Sequence, residues 1–257
     1  MARRVAALYD IHGNLAALEA VLEDMRRADI DHVVVGGDVL PGPMVRETLA
    51  RLQDLDIPVQ FIQGNCEVAV LGQMAGSEPA WVRSIPAEAK AILRWQTEQL
   101  DPPLQRLLTA WPMTCRAEVL GLGEVLFCHA TPRHDNEVFT RLTPEERLLP
   151  IFEGLDLPLV ICGHTHMQFD RMVGKTRVVN AGSVGMPFGE PGADWLLLGP
   201  DVELRHTAYD LARAAERIRA TTYPEDFAAR YVLNPPAAAQ MLERFTAFSL
   251  TEGAGRW

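Results

Sequence analysis

The sequence has few cysteines, and their spacing predicts no structural role for them. No Cys-x-x-Cys pair occurs among the four thiols, which are Cys66, Cys115, Cys128 and Cys162. This spacing argues against a disulfide framework and against a cysteine-based zinc site, and it is typical of proteins that keep their thiols reduced. We therefore expect a cytoplasmic location.

Positive charge and long apolar runs are also scarce. Lysine occurs only at Lys90 and Lys175, and 24 basic residues oppose 34 acidic ones, so the formal net charge is −10. Such an acidic chain lacks the broad basic surface of proteins that bind duplex nucleic acid. No stretch reaches the ~18 apolar residues of a membrane span, and the first apolar run is too short for a signal peptide. We expect neither duplex nucleic acid nor a membrane as a partner.

What remains is an ordinary globular composition of 257 residues, with 48% hydrophobic and 23% charged residues. Short apolar runs alternate with helical periodicity in the first quarter of the chain. Residues 4–10, 32–38 and 59–65 predict strands, and residues 14–28 and 44–55 predict helices. This alternation is typical of βαβ units and of a largely parallel sheet.

The rest of the chain divides into a helical, a strand-rich and a second helical part. Residues 68–113 predict an inserted helical layer, whose three tryptophans we expect in the core rather than stacked on a base. Strands dominate up to residue 209, with one helix at 143–155, where Thr143 and Glu146 have capping-box spacing. Residues 210–257 predict a C-terminal helical extension. We expect it to pack on a single domain of residues 1–209 that includes the insert.

Five predicted strand ends carry residue types that bind metal ions. In chain order they are Asp10 with His12, Asp38, Asn65, His129, and His164 with His166. Each residue alone is more typical of a cap or a hydrogen-bonding role. Strand carboxyl ends line the ligand crevice of an α/β sheet, so together these residues predict a metal centre. Residues two apart share a face only in an extended chain, so we expect both two-residue motifs to be extended.

The order of these motifs resembles that of the calcineurin-like metallophosphoesterase superfamily. The matching pieces are D-x-H, G-G-D, G-N-(H/C)-(D/E), a lone His after a strand, and G-H-x-H. The segment N-A-G-S-V-G-M-P at 180–187 resembles the small bacterial and archaeal phosphodiesterase branch. The resemblance implies an α/β fold: a four-layer α/β/β/α sandwich of two mixed sheets packed face to face, here with a helical insert and C-terminal helices.

The resemblance also implies two divalent metal ions. Asp10, His12, Asp38 and His166 would hold one ion, and Asp38, Asn65, His129 and His164 would hold the other, with Asp38 bridging. Oxygen and imidazole donors suit Mn²⁺, which we favour, and also Fe, Zn²⁺, Co²⁺ or Ni²⁺. Such a pair would lower the pKa of a bridging water, and the resulting hydroxide would attack phosphorus in line.

Cys66 stands where the larger phosphatases of this superfamily have a histidine that contacts the phosphoryl group or assists the leaving group. A thiol is a weak hydrogen-bond donor, so we interpret Cys66 as a small residue beside the substrate. Weak leaving-group assistance and redox sensitivity are the alternatives. We expect the neighbouring Glu67 to orient a metal ligand rather than to act as an acid.

Three further residues are candidates for substrate chemistry. His134 is the candidate leaving-group acid and Arg133 a candidate phosphate contact, with a solvated loop position as the alternative for both. Asn14 either contacts the substrate or caps the helix that follows it, and we favour the cap.

These residues predict a dinuclear metal-dependent phosphoesterase that acts on a small phosphoester or nucleotide. Cys66 favours a phosphodiesterase. The alternatives are a phosphomonoesterase and a phosphatase of dinucleoside polyphosphates or phosphoproteins. A non-catalytic scaffold of the same fold is a remote alternative, because every expected ligand position is filled. Whether the chain forms a homo-oligomer is left open.

Overall fold

The structure is a computed structural model, and it describes residues 1–250. The ten strands of this part are β1 (Val5–Leu8), β2 (His32–Val35), β3 (Val59–Phe61), β4 (Thr114–Val119), β5 (Gly123–Cys128), β6 (Leu159–Cys162), β7 (Phe169–Val173), β8 (Thr176–Asn180), β9 (Ala193–Leu198) and β10 (Val202–Thr207). The α-helices are α1 (Leu15–Arg27), α2 (Val45–Gln53), α3 (Asn65–Ala75), α4 (Ala87–Gln99), α5 (Pro102–Thr109), α6 (Glu145–Phe152), α7 (Leu211–Arg219) and α8 (Ala238–Ala247). Two 3₁₀ turns, Ala80–Ser84 and Glu153–Leu155, and a π-helical segment, Ala228–Leu233, complete the list.

The strands form two mixed five-stranded sheets, as predicted. The first has the order β10-β9-β1-β2-β3, and the second has the order β4-β5-β6-β8-β7. In the first sheet β1, β2 and β3 are parallel, while β9 and β10 are antiparallel to their neighbours. In the second sheet β5, β6 and β8 are parallel and the edge strands β4 and β7 are antiparallel.

Both faces of the central strands are buried, which explains their continuous apolar sequences. In β1, Val5 and Ala7 point into a core that they share with Phe127 and Ile161 of the second sheet. The alternate residues of β1 point the other way, into a core that α1, α2 and α3 cover. Helix α6 covers the outer face of the second sheet. The predicted α/β/β/α sandwich is confirmed.

The helical insert begins earlier than the sequence predicts. Strand β3 ends at Phe61, and Asn65 is the first residue of α3 rather than the end of a strand. Trp111 is buried and stacks on Phe61 at 4.7 Å between ring centroids. Trp81 and Trp95 are half-buried. The end of the predicted extension, residues 251–257, lies outside the described part of the chain.

The C-terminal helices pack against the same body. Residues of α7 and of the π-helical segment share a buried cluster with Leu15, Met44 and Met186. Helix α8 packs with Val138 and Phe188. No helix within residues 1–250 has both the length and the hydropathy needed to cross a bilayer.

Candidate metal centre

The backbone at most of the predicted ligands is left-handed. Positive φ angles occur at Asp10 (53°), His12 (46°), Asp38 (51°), His164 (67°) and His166 (55°). The expectation that both two-residue motifs are extended is therefore wrong. Left-handed residues turn the chain sharply after the strand. These turns, rather than an extended backbone, bring the ligand side chains together. The conformation costs roughly 1–2 kcal/mol per non-glycine residue, and such strain concentrates at functional sites.

Contacts between the loops hold this strained backbone in place. The N–H of His12 donates to the carbonyl of Asp38 at 3.0 Å, and the N–H of Gly185 donates to the carbonyl of Asp10 at 3.0 Å. Close approach requires a glycine before Asn65, because a Cβ at Gly64 would lie 2.1 Å from Asp38 Oδ1. The loops therefore form one rigid platform at the carboxyl ends of β1, β2 and β6.

The predicted ligands form two buried clusters. One consists of Asp10, His12 and His166, and the other of Asp38, His129 and His164, with the ligand atoms of each cluster within 4.8 Å of one another. Asn65 joins the second cluster, because its Oδ1 lies 3.0 Å from His129 Nε2. The clusters adjoin, since His12 Nε2 lies 3.9 Å from Asp10 Oδ1 and 4.0 Å from Asp38 Oδ2.

The carboxylates are oriented as cation ligands would be. Asp10 Oδ2 accepts the N–H of His164 at 2.8 Å, and Asp38 Oδ1 accepts the N–H of Cys66 at 2.9 Å. The other oxygens, Asp10 Oδ1 and Asp38 Oδ2, are buried and accept no hydrogen bond from the described residues. They face imidazole nitrogens at 3.3 and 3.5 Å. A buried carboxylate oxygen without a donor is costly, so the residues present fit bound cations.

Backbone carbonyls orient three of the imidazoles. The Nδ1 atoms lie close to carbonyl oxygens in the pairs His12–Pro41 (3.3 Å), His129–Gly36 (2.9 Å) and His166–Met186 (2.9 Å). An Nδ1–H that donates to a carbonyl leaves the Nε2 lone pair directed into the centre. Metal-binding histidines have this outer support as a rule.

Comparison with known proteins identifies the family. The family model of the calcineurin-like phosphoesterase superfamily domain matches residues 4–199. The chain belongs to this superfamily. The resemblance seen in the motifs is thereby confirmed, and the family implies divalent metal ions at the two clusters.

Three known proteins resemble this chain over most of its length. An uncharacterised protein of Methanocaldococcus jannaschii is 25% identical over 241 residues, which are 86% of this chain and 94% of that protein. A hypothetical protein from Pyrococcus horikoshii has a TM-score of 0.76 at 22% identity, covering 90% of this chain and 99% of its own. A metallophosphoesterase from Sphaerobacter thermophilus has a TM-score of 0.67 at 26% identity, covering 90% and 98%.

The electrostatics of this centre favour cation binding. Burial opposes ionisation of Asp38 and Asp10, but the neighbouring histidines outweigh it and lower both pKa values. Burial lowers the pKa of His12 to about 4 and that of His164 to about 3. Anionic carboxylates and neutral imidazoles are the forms that coordinate metal. His129 is the exception: burial opposes its charge, yet Asp38 and Asp10 raise its pKa to about 10, so a cation would replace a proton there.

Glu67 holds the backbone on either side of the centre, at Asp38 and at Gly64. Its carboxylate accepts the N–H groups of Asp38 (2.8 Å), Val39 (2.8 Å) and Gly64 (2.7 Å). Burial and the charge of Asp38 raise the pKa of Glu67 to about 7. The side chain ties the loop after β2 to the start of α3, so it acts by positioning.

Cys66 is buried beside the centre and uncharged. Its Sγ lies 3.6 Å from Asn65 Nδ2. Burial, followed by the charge of Asp38, raises the pKa of the Cys66 thiol well above its usual range. A thiol held in this form is a poor nucleophile, which fits the interpretation of Cys66 as a small neighbouring residue.

Asn14 is a buried helix cap. Its Oδ1 accepts the N–H of Ala17 at 3.2 Å at the start of α1. Its Nδ2 donates to the carbonyl of Gly185 at 3.0 Å and to the hydroxyl of Tyr209 at 3.1 Å. Both amide hydrogens are thus used within the fold, and the favoured alternative of a cap is the one that the structure shows.

Arg133 and His134 lie on the loop after β5, beyond His129. Arg133 forms an ion pair with Glu137, in which Nη2 lies 2.6 Å from Oε1. The positive charge of Arg133 is therefore already paired with a carboxylate of the protein. His134 is one-third exposed, and its Nδ1 lies 3.2 Å from Asp135 Oδ1. Their roles toward a substrate stay predictions.

Asp135 is a residue that the sequence reasoning missed. Its side chain is 11% exposed. Burial raises the pKa of Asp135 above its usual value. The neighbouring His134 and His129 lower this pKa, and the charge of Asp38 raises it, so the net shift is upward. Its only sequence signal is its place beside His134 in the segment H-A-T-P-R-H-D.

Proposed function

We propose that this phosphoesterase is a dinuclear metal-dependent phosphodiesterase. The observation that carries the preference is the buried, uncharged thiol of Cys66, whose backbone N–H donates to Asp38 Oδ1. A phosphomonoester carries a second negative charge near neutral pH, and an imidazolium at this position would help to neutralise it. A neutral thiol adds no positive charge, so the site suits the single charge of a diester.

Two divalent cations, when bound, supply Lewis-acid activation of a water and of the phosphoryl oxygens. The residues of the chain have separate tasks around them. Asp38 adjoins both clusters and would supply an anionic ligand to the pair of cations. Asn65 supplies an oxygen donor without adding charge, and His134 is the candidate that gives a proton to the leaving oxygen. The mixture of carboxylate, amide and imidazole ligands suits Mn²⁺ and also Fe, Zn²⁺, Co²⁺ or Ni²⁺, and we propose Mn²⁺ among them.

The test is hydrolysis by metal-stripped protein reloaded with Mn²⁺. We expect bis(p-nitrophenyl) phosphate to be hydrolysed with a kcat/KM at least about tenfold above that of p-nitrophenyl phosphate, a difference of about 1.4 kcal/mol in transition-state stabilisation. A preference of that size for the monoester would contradict the proposal. Metal analysis separates the remaining alternative, because less than one equivalent of bound Mn²⁺ would indicate a scaffold.

A further inference from the structure

A cavity of about 270 Å³ opens directly beside the metal centre. His12 and Cys66 form its end nearest the clusters. The helical insert supplies one wall, including Trp81 and Leu93, and the C-terminal extension supplies the opposite wall, including Tyr223. The cavity is only slightly smaller than the roughly 300–1,000 Å³ of typical ligand pockets.

The walls of this cavity are apolar and aromatic. Its lining residues are mostly aliphatic or aromatic. Contacts between aromatic rings support the wall that the C-terminal extension supplies. Tyr223 packs edge-on against Trp95 of the insert at 5.2 Å and against Phe227 at 5.9 Å. Such contacts hold ring positions without a ligand, so the cavity is preformed and needs little ordering on binding.

The charges at the cavity do not suit a second phosphate. Among the described residues that line it, Arg230 is the one cation, and Glu88 and Glu225 are anions. Arg230 is committed within the fold, because its Nη1 lies 2.6 Å from Glu225 Oε1 and its guanidinium lies over the Tyr231 ring at 5.0 Å. A polyphosphate chain would therefore meet net negative charge here, whereas an uncharged apolar group would replace water along the walls.

The end of the cavity near the metal clusters offers no effective proton donor to a departing oxygen. His12 directs its Nε2 into the clusters, and the Cys66 thiol is a weak hydrogen-bond donor. The candidate acid, His134, is not among the lining residues. A group in the cavity is accordingly the one that stays on phosphorus, while the leaving oxygen departs on another side.

We infer that this cavity is the subsite for the retained ester group of the substrate and that this group is an uncharged aryl or branched alkyl moiety. The inference rests on the proposed phosphodiesterase activity and specifies its substrate class. It excludes diesters whose retained group is charged or richly hydroxylated.

The test uses the Mn²⁺-loaded full chain and a series of p-nitrophenyl phosphodiesters that share one leaving group. The retained ester is methyl, phenyl or thymidine. We expect kcat/KM for the phenyl ester to exceed that for the methyl ester by at least about tenfold, since one methylene in an apolar pocket already changes selectivity by roughly 10–200-fold. We expect the thymidine ester to be slower than the phenyl ester.

Two variants on α4 change the size of the cavity in opposite directions. Ala89→Phe fills it, and we expect the phenyl-to-methyl ratio to fall toward one. Ile92→Ala enlarges it, and we expect the ratio of a 1-naphthyl ester to the phenyl ester to rise. Ala87→Phe is the matched control, because Ala87 is exposed on the same helix and does not line the cavity.

The outcomes separate the two proposals. Failure of the wild-type chain to hydrolyse any of these diesters would count against the phosphodiesterase itself. Hydrolysis without a phenyl preference, a thymidine ester that matches the phenyl ester, or equal losses for both esters in Ala89→Phe would overturn the subsite alone. If Ala89→Phe does not fold, as judged by thermal unfolding, the ratios for wild type and Ile92→Ala decide the question.

Discussion

Asp38 is the residue through which the two ligand clusters meet. Its Oδ1 is held by the N–H of Cys66, while its Oδ2 lies 3.5 Å from His129 Nε2 and 4.0 Å from His12 Nε2. These two imidazoles belong to different clusters. One buried carboxylate oxygen thus faces both sites, which is the position that a shared ligand needs.

Asp38→Asn tests this shared role. The amide keeps the shape but removes the negative charge that offsets repulsion between two cations. We expect bound Mn²⁺ to fall to one equivalent or less, and kcat/KM to fall by more than about 100-fold, the upper end of the range for changes outside the ligands themselves. Metal analysis and diester kinetics measure both. Asp170→Asn, the same change at an exposed carboxylate, should alter neither, and a fully active Asp38→Asn enzyme would refute the assignment.

Cys66→Ser tests the interpretation of the thiol as a small uncharged neighbour. The hydroxyl preserves size and neutrality, and the backbone N–H that holds Asp38 is unaffected. We expect kcat/KM for the nitrophenyl diester to stay within about threefold of wild type, a change below 1 kcal/mol. A Cys66→Ser enzyme as inactive as Asp38→Asn would show that sulfur takes part in the chemistry.

His134→Ala tests the candidate leaving-group acid. Proton donation matters most when the departing oxygen is basic, so the loss should depend on the substrate. We expect a decrease of roughly 100-fold or more for a diester that releases a poor leaving group, near the lower bound for general acid catalysis, and a small decrease for one that releases nitrophenolate. Equal decreases for both substrates would exclude proton donation by His134.

At the scale of elements, the centre depends on how loops join neighbouring strands and helices. The loop after β2 and the first turn of α3 meet at Glu67, whose carboxylate accepts four backbone N–H groups. Asp38 belongs to the first of these segments and Asn65 to the second. The distance between two ligands from different elements is therefore maintained by a residue that is not itself a predicted ligand.

Glu67→Gln disturbs this junction while keeping its volume. The amide NH₂ cannot accept a hydrogen bond and would face a backbone donor, which costs about 1–3 kcal/mol when buried. We expect a lower unfolding temperature and, well below it, a Mn²⁺ affinity reduced by roughly 10–100-fold. Calorimetry and metal titration measure the two effects. Glu78→Gln at an exposed position is the control, and an unchanged Mn²⁺ affinity would show that Glu67 does not position the ligands.

Local sequence patterns predicted the ends of helices and strands less reliably than their presence. Thr143 has capping-box spacing, but α6 begins at Glu145 after Pro144. The Thr143 hydroxyl accepts the N–H of Thr140 at 2.9 Å and lies 2.7 Å from the Ser249 hydroxyl. A distant segment thus competes for the capping group, and no local pattern contains that segment.

At the scale of the whole molecule, the metal centre is a site where buried charge accumulates. Asp10 and Asp38 are fully buried, and each leaves one oxygen without a hydrogen bond from the described residues. Without cations, only the neighbouring imidazoles offset the charge of these two carboxylates, and two divalent cations would offset this buried charge more fully. Metal ions that bind only the folded chain therefore stabilise the entire domain.

Metal removal should lower the stability of the whole chain. At a free Mn²⁺ concentration 100 times the dissociation constant, one site contributes about 2.7 kcal/mol. For a domain of this size, each kcal/mol corresponds to roughly 2–4 °C in Tm, so we expect chelation to lower Tm by about 5 °C or more. Calorimetry with EDTA and after Mn²⁺ readdition measures the shift. The shift should shrink in Asp38→Asn, and an EDTA-insensitive wild type would contradict the prediction.

The sequence by itself determined the family, the sandwich fold and the chemical types at the ends of the strands. Buried strands and metal ligands have short, local signatures, so apolar runs that end in Asp, Asn or His are visible without coordinates. Helix α1 and its cap Asn14 are local in the same way. These features depend on neighbours within a few positions.

Only the tertiary structure decided how the ligands are grouped and what surrounds them. The left-handed turns at Asp10 and Asp38 are held by loops from distant parts of the chain, and Glu67 acts through four backbone groups. The apolar cavity joins residues more than 200 positions apart, from His12 to Tyr231. Such arrangements depend on packing between segments, and packing leaves no periodic pattern in the sequence of any one segment.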